Sequence, residues 1–405
     1  MKTESKRIIL AVQGEGRGHL TQALAVHEIL SRHGHTVCCV IVGTSCNRQI
    51  PDFFTRKFSV PVIPVLSPNF TMDKNSKSIH LGRTVMDNLL RVKQYRKSMR
   101  TIDALLEEHQ PDLVINFYEP LIALHALTRK RSFKILAIAH QYIYLHPAFK
   151  FPDGNTLQST YLKAYTKFTS LGSDIQLAIS MYNLPEAANS KLRVCAPLLR
   201  KQIFALTPTE EDFVLVYLLN SGYSRDIVRY HKKNPSLKLV CFTDSKEVKE
   251  QHNGMLTLNE NLVFHSLNDS KFLDLMSRCK GLVCTAGFES VCEAMYLNKP
   301  VMMVPVKGHY EQYCNARDAS RIGAGIYCEE FDLSKLEECF LFYNKEKNEH
   351  FRTWVNSVES QLVRTVEDMF PTAIEPKSQN ARILSSFLTL RLSVLLTLFS
   401  ILLTQ

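Results

Sequence analysis

Apolar positions fall in short unbroken runs that alternate with amphipathic stretches. RIILAVQ, from Arg7, is such a run and ends in glycines, the pattern of a buried strand. In HLTQALAVHEILSRHG, Leu20, Ala23, Leu24, His27 and Leu30 keep helical spacing, and Gly34 marks the end. TVCCVIVG, from Thr36, predicts a second strand, so the chain opens with a β-α-β unit and a right-handed crossover. A long basic helix is expected near residues 80–109. PDLVINFY, PLIALHALTRK, FKILAIAH and SDIQLAIS then continue as strand, helix, strand and strand.

After PLLRKQIFALTPTEED the alternation restarts. FVLVYLLN, LKLVCFTD, LVFHSL, GLVCTA and PVMMVPV predict the strand positions, and SRDIVRYHKKN, DSKFLDLMSRC, ESVCEAMYLN and EQYCNARDASRIG the helices between or after them. HFRTWVNSVESQLVRTVEDMF reads as one last amphipathic helix. Two successive α/β sets predict two facing doubly wound, Rossmann-like domains, residues 1–200 and 201–370, joined at a polar segment near 197–212. Residues 371–382 break the pattern as a linker. From Ile383 to Leu403 the only charge is Arg391. A helix of that length spans about 31 Å, close to a hydrocarbon core. The segment 383–405 is therefore a candidate membrane anchor, the alternative being an amphipathic helix lying on a membrane or packed on the protein. Lys377 and Arg382 before it favour a body on the cytoplasmic face.

Charge changes the picture more than composition does. The 405 residues carry a formal net charge of +10. Residues 1–200 hold 26 Lys and Arg against 14 Asp and Glu, and residues 201–405 hold 23 against 25. The first half thus carries the whole positive field, which suits an acidic membrane surface or a phosphorylated substrate. Arg83, Arg91, Lys93, Arg96, Lys97 and Arg100 cluster in the long basic helix, as a lipid-facing set or as a solvated face. Nucleic acid is disfavoured, because no reading motif or aromatic platform accompanies the charge. Eleven cysteines without a CxxC pattern read as reduced small hydrophobes rather than disulfides or zinc ligands.

VQGEGRGHLTQA places Gly14, Gly16 and Gly18 between the first strand and first helix, with His19 on the far lip. Such a turn lets a backbone approach an anion that the helix N-terminus faces with free N–H groups. The spacing is not G-x-G-x-x-G, and no acidic residue closes the second strand, so NAD and FAD are unlikely ligands; GK[ST] is absent too. The second half repeats the device. Thr285, Ala286 and Gly287 end a strand and Ser290 lies in the first turn of the next helix. Glu293, one turn on, is placed to accept two hydrogen bonds from a ribose diol. Glu311 and Gln312 open a later helix at the same edge.

These stretches, GEGRGHLTQALAVHEIL and AGFESVCEA followed by PVKGHYEQYCNA, resemble the GT-B glycosyltransferases over about residues 7–370. The likeness is strongest to the branch holding the N-acetylglucosaminyltransferase of the lipid-linked peptidoglycan disaccharide and the plant galactolipid synthases. Nucleotide-sugar glucosyl- and glucuronosyltransferases are also similar. The resemblance implies that His19 is a general base or acceptor-site residue and that Glu293 holds the donor ribose. It implies that Thr285, Ala286, Gly287 and Ser290 form the diphosphate turn and that Glu311 and Gln312 contact the transferred sugar. Asn220 and Ser221 would make the other phosphate-facing loop. Thr285 stands where the family commonly has His or Arg, so one positive phosphate contact must come from elsewhere.

The implied reaction is sugar transfer from a nucleotide diphosphate, a UDP-sugar by resemblance, to a lipid or glycan hydroxyl. His19 takes the proton, with Glu119 as the best-placed carboxylate to orient its ring and His140 as an acceptor-site candidate. Gly16 and Gly18 join the donor side. No D-x-D pair is found, so metal-independent transfer is expected, without a cofactor and with inversion implied. The rival readings are a nucleotide-sugar 2-epimerase of the same fold and a non-catalytic, transferase-like partner.

Overall fold

The computed structural model describes residues 4–45, 49–68, 90–154, 156–186, 190–218, 222–343 and 345–371. The first sheet is built from β1 (Arg7–Gln13), β2 (Thr36–Thr44), β3 (Val62–Leu66), β4 (Leu113–Phe117), β5 (Lys134–Ala139), β6 (Ile175–Ile179) and β7 (Leu192–Cys195). Its spatial order is β3-β2-β1-β4-β5-β6-β7, and every pairing is parallel. The second sheet comprises β8 (Val214–Tyr217), β9 (Leu239–Thr243), β10 (Met255–Asn259), β11 (Leu262–Ser266), β12 (Gly281–Cys284), β13 (Val301–Met303) and β14 (Gly325–Tyr327). Its order is β10-β11-β9-β8-β12-β13-β14, parallel except for the β10–β11 hairpin. Two parallel-dominated α/β sheets are thus present, as the alternation predicts.

Helices of nine residues or more are numbered here. They are α1 (Arg17–Arg32), α2 (Val92–His109), α3 (Pro120–Thr128), α4 (Thr156–Thr169), α5 (Gly222–Lys233), α6 (Asp269–Arg278), α7 (Phe288–Tyr296), α8 (Tyr310–Arg321), α9 (Lys345–Asn356) and α10 (Val358–Met369). Helix α1 ends at His33, and Gly34 takes the left-handed conformation, φ +82°, that glycine adopts without strain. β1, buried on both faces, shows why a continuous apolar run marks a covered parallel strand. One apolar cluster runs from Leu10 and Val12 through the domain interface to Leu282 and Met303, with Phe351 and Leu362 of the terminal helices closing it.

The structure adds α4 and the strands β3, β7, β10 and β14 to the elements predicted, and it changes the last helix. The last amphipathic stretch is two helices, α9 and α10, separated at Ser357. Helix α10 does not stay with the second sheet: Glu359 pairs with Arg32, Asp368 pairs with Arg193, and Gln361 accepts the Ala196 amide. The chain thus returns from the second sheet to brace the first domain. Strands β3 and β7 escape a pattern search because Pro64 and Arg193 interrupt their apolar runs. The anchor candidate 383–405, the 371–382 linker beyond Pro371, Asn220, Ser221 and Arg83 lie outside the described residues. Among the described residues no helix is long and apolar enough to cross a membrane.

Gly43 of β2 shows how tightly the carboxyl end of the first sheet is packed. A Cβ there would fall 1.8 Å from Oε2 of Glu119 and 2.9 Å from Cβ of Ser67. Gly43→Ala is expected to cost about 2–3 kcal/mol, since neither buried neighbour can withdraw freely. Urea denaturation checks this, and an unchanged midpoint would contradict the packing described.

Candidate active site

In open α/β sheets the ligand crevice lies beyond the carboxyl ends of the strands, where the strand order reverses. In the first sheet that reversal lies between β1 and β4, under the glycine turn that leads into α1. In the second it lies between β8 and β12, under the Thr285–Gly287 turn that leads into α7. Side chains from the two turns meet, so both reversals open on one cleft between the domains.

A charged spine crosses that cleft. Arg17, the first residue of α1, donates from Nη1 to Oδ1 of Asp269 at 2.7 Å, and Asp269 opens α6 in the other domain. Arg200 comes from the joint between domains. It grips Glu293 with two parallel bonds, Nε to Oε1 and Nη2 to Oε2, each 2.5 Å, and its Nη1 stands 3.8 Å from Asp269. Burial opposes the charge on Arg200, but Glu293 and then Asp269 raise its pKa above the ordinary guanidinium value. Glu293 is only 1% exposed, and both of its carboxylate oxygens are held by Arg200. Arg200 and Arg17 are cations of this cleft that carry no local mark in the sequence.

Around the spine lie further hydrogen-bonded partners. The Nδ1 of His19 stands 3.4 Å from Oε1 of Gln22, and the ring stacks on Tyr118 with centroids 5.6 Å apart. Burial lowers the His19 pKa to about 4, so the imidazole is neutral over the physiological range. Gln22 in turn donates from Nε2 to Glu289 of α7 across the cleft. Glu311 of α8 likewise accepts from Gln141 of the first domain at 2.9 Å. Burial raises the carboxyl pKa of both Glu289 and Glu311 to about 7.

The donor-side turn has Ala286 in the left-handed region at φ +60° and Gly287 capping α7, which aims the helix tip into the cleft. Ser290 turns its hydroxyl back to the Gly287 carbonyl at 3.0 Å. Gln312 accepts the Val306 amide at 2.9 Å, which ties its side chain to its own loop, whereas Glu311 faces the first domain. Gly16 precedes α1, and Gly18 lies directly under Glu289: a Cβ on Gly18 would sit 2.5 Å from Oε2.

Two expected site residues are built into the scaffold instead. Glu119 does not bond to His19. Its Oε1 accepts from Ser67 Oγ at 2.6 Å and from the Leu121 amide at 3.1 Å, which makes it the N-cap of α3. His140 has both ring nitrogens within hydrogen-bond distance of protein oxygens, Ile179 O at 2.9 Å and Asn315 Oδ1 at 2.8 Å. It also stacks on Phe288 at 3.8 Å, so it joins the domains rather than facing an acceptor. Among the described residues no three His, Cys, Asp or Glu side chains are grouped to hold a metal ion. A groove of about 650 Å³ lies at the opposite, amino end of the first sheet, lined by Asp103, Arg129, Arg131 and Phe370, away from every candidate residue.

Residues 6–343 match the model of Glycosyl transferase family 1. The chain belongs to this glycosyltransferase family. It is 22% identical over 341 residues to an uncharacterized glycosyltransferase of Methanosarcina acetivorans, covering 79% of this chain and 82% of that one. It is 23% identical over 370 residues to the UDP-N-acetylglucosamine--N-acetylmuramyl-(pentapeptide) pyrophosphoryl-undecaprenol N-acetylglucosamine transferase of Fusobacterium nucleatum, covering 86% and 92%. Among solved structures, the kitacinnamycin glycotransferase superposes with a TM-score of 0.60 at 14% identity, covering 91% of this chain and 100% of that one. The calicheamicin glycosyltransferase gives 0.58 at 15%, covering 90% and 98%. The fold of this glycosyltransferase is therefore GT-B.

Glu119 makes a measurable prediction for the enzyme. Among the described residues its Oε2 has no hydrogen-bond partner, and burial raises its pKa to about 7. A folded-state pKa above the unfolded one means that the native state loses stability as pH rises from about 4.5 to 7, and the loss is complete above 7. Glu119→Gln keeps an acceptor for Ser67 and the Leu121 amide but cannot ionise. The variant should match the parent near pH 4.5 and exceed its stability by about 1–3 kcal/mol at pH 8. Denaturant midpoints at the two pH values check this.

Proposed function

We propose that this glycosyltransferase moves a sugar from a nucleoside diphosphate, a UDP-sugar, to a hydroxyl of a lipid-linked or glycan acceptor. The observation that carries this reading is the position of His19. A neutral imidazole stands at the first switch point, and across the cleft stand the α7 tip and the Glu293 carboxylate. The acceptor O–H attacks the anomeric carbon while the bond from that carbon to the phosphate oxygen breaks. The proton goes to His19, and the nucleoside diphosphate leaves with the bonding pair. Gly16, Gly18 and the Thr285–Ser290 turn take the diphosphate through backbone N–H groups, with Arg17 and Arg200 within reach of its charge. Glu293 holds the ribose diol by exchanging part of its grip on Arg200. Glu311 meets the transferred sugar, Gln312 shapes the loop beneath it, and Asn220 and Ser221 form a second phosphate-facing loop.

Transfer is then metal-independent and inverting, with no cofactor. Residues up to about 200 take the acceptor and those after it the donor. The name of the Fusobacterium relative, which includes a pyrophosphoryl-undecaprenol acceptor, supports a lipid-linked substrate here. The exposed Lys93, Arg96, Lys97 and Arg100 on α2 support contact with an acidic membrane. The apolar run 383–403 would hold the enzyme at the cytoplasmic face of that membrane.

A thermal-shift panel of nucleoside diphosphates and nucleotide sugars tests the donor. UDP or a UDP-sugar should raise the melting temperature at saturating dose, in EDTA as well as without it. His19→Ala should keep that shift yet lose about 10²–10⁴-fold in transfer, whereas Glu293→Gln should lose the shift. A panel in which no nucleotide raises the melting temperature would overturn the reading.

A further inference from the structure

We infer that Glu289 is a positioning residue for the base: through Gln22 it holds His19 in the tautomer that carries its proton on Nδ1, and it does so from the opposite domain. The inference rests on His19 as the base. The Gln22 amide is directional. Its Nε2–H donates to Oε1 of Glu289, and that fixes its Oε1 toward Nδ1 of His19 at 3.4 Å. An amide oxygen accepts only, so Nδ1 must bear the hydrogen. A neutral imidazole has one N–H, which leaves the Nε2 lone pair free to take a proton from a hydroxyl.

Glu289 is itself held. Its carboxylate accepts its own backbone N–H at the first turn of α7, and it lies over Gly18, where any side chain would displace it. Glu293 and Glu311 are the charged groups whose fields reach it. On the other side His19 stacks on Tyr118. The two hydrogen-bonding residues on either side of Gln22 come from different domains. An open cleft would therefore free the amide to turn and leave the ring without a set tautomer, so closure is what prepares the base.

Nitrogen-15 histidine spectra of the full-length protein read the tautomer without any substrate, with His19→Gln used to assign the signal. The parent protein should show His19 with Nδ1 protonated and Nε2 bare. Glu289→Leu and Gln22→Leu should each lose that pattern for a mixture of the two forms. Release of UDP from UDP-N-acetylglucosamine into water gives the second readout. Either variant should fall about 10- to 100-fold in turnover, with the half-saturating donor concentration within about twofold of the parent. The exchanged pair Gln22→Glu with Glu289→Gln should restore both, because the carboxylate introduced at position 22 accepts from Nδ1 directly. If His19→Ala leaves UDP release intact, the assignment of the base fails. If the Nδ1 pattern survives Glu289→Leu and Gln22→Leu, the positioning role is overturned.

Discussion

The Arg17–Asp269–Arg200–Glu293 spine is the interaction on which the cleft depends. Two cations and two anions alternate across the cleft, from the half-buried Arg17–Asp269 pair inward to the buried Glu293, whose charge is matched by Arg200. Desolvating a carboxylate such as Glu293 costs several kcal/mol, and removing its one bidentate partner would leave that cost uncompensated. One residue comes from the glycine turn, one from the joint and two from the second domain. The bonds that close the domains are therefore the same bonds that set the field at the α7 tip. On the proposed reading, a diphosphate entering the cleft would compete with Asp269 for Arg17 and with Glu293 for Arg200, so donor binding would draw on the charges that close the domains.

What the sequence made legible was local. The turn before α1 and the turn before α7 announce themselves by small residues between an apolar run and an amphipathic one, and both fall where the strand order reverses. The partners that complete the site carry no such local mark. Gln22 and Glu289 are 267 residues apart, and Arg200 and Glu293 are 93 apart. Only the crossing of two sheets brings them together. Glu119 is the instructive error. Its place after a strand suggested a catalytic carboxylate, but the Glu119–Pro120 pair is itself a helix-start signature, an acceptor at the cap and proline at the first helical position. The cap, not the chemistry, fixes that side chain. The crossing of α10 back to the first domain was hidden for the same reason as the site partners, since Arg32–Glu359 and Arg193–Asp368 are long-range pairs.

His19, the base of the proposed reaction, and His140 differ on physical grounds. Both follow strands of the first sheet, both are buried, and burial lowers both to about 4. The pKa therefore does not distinguish them; the use of the ring nitrogens does. His140 has a protein oxygen at each nitrogen and an aromatic face closing one side, so no atom remains to meet a substrate. Among the described residues His19 has a partner at Nδ1 alone, and that partner is an amide whose direction is set from the other domain. A base needs one nitrogen held and one left bare. Of the two rings, only His19 satisfies both conditions, and it does so through a residue whose carboxylate fits because position 18 is glycine. The glycine turn thus admits a side chain of the second domain, which ties the shape of the first loop to the setting of the His19 ring.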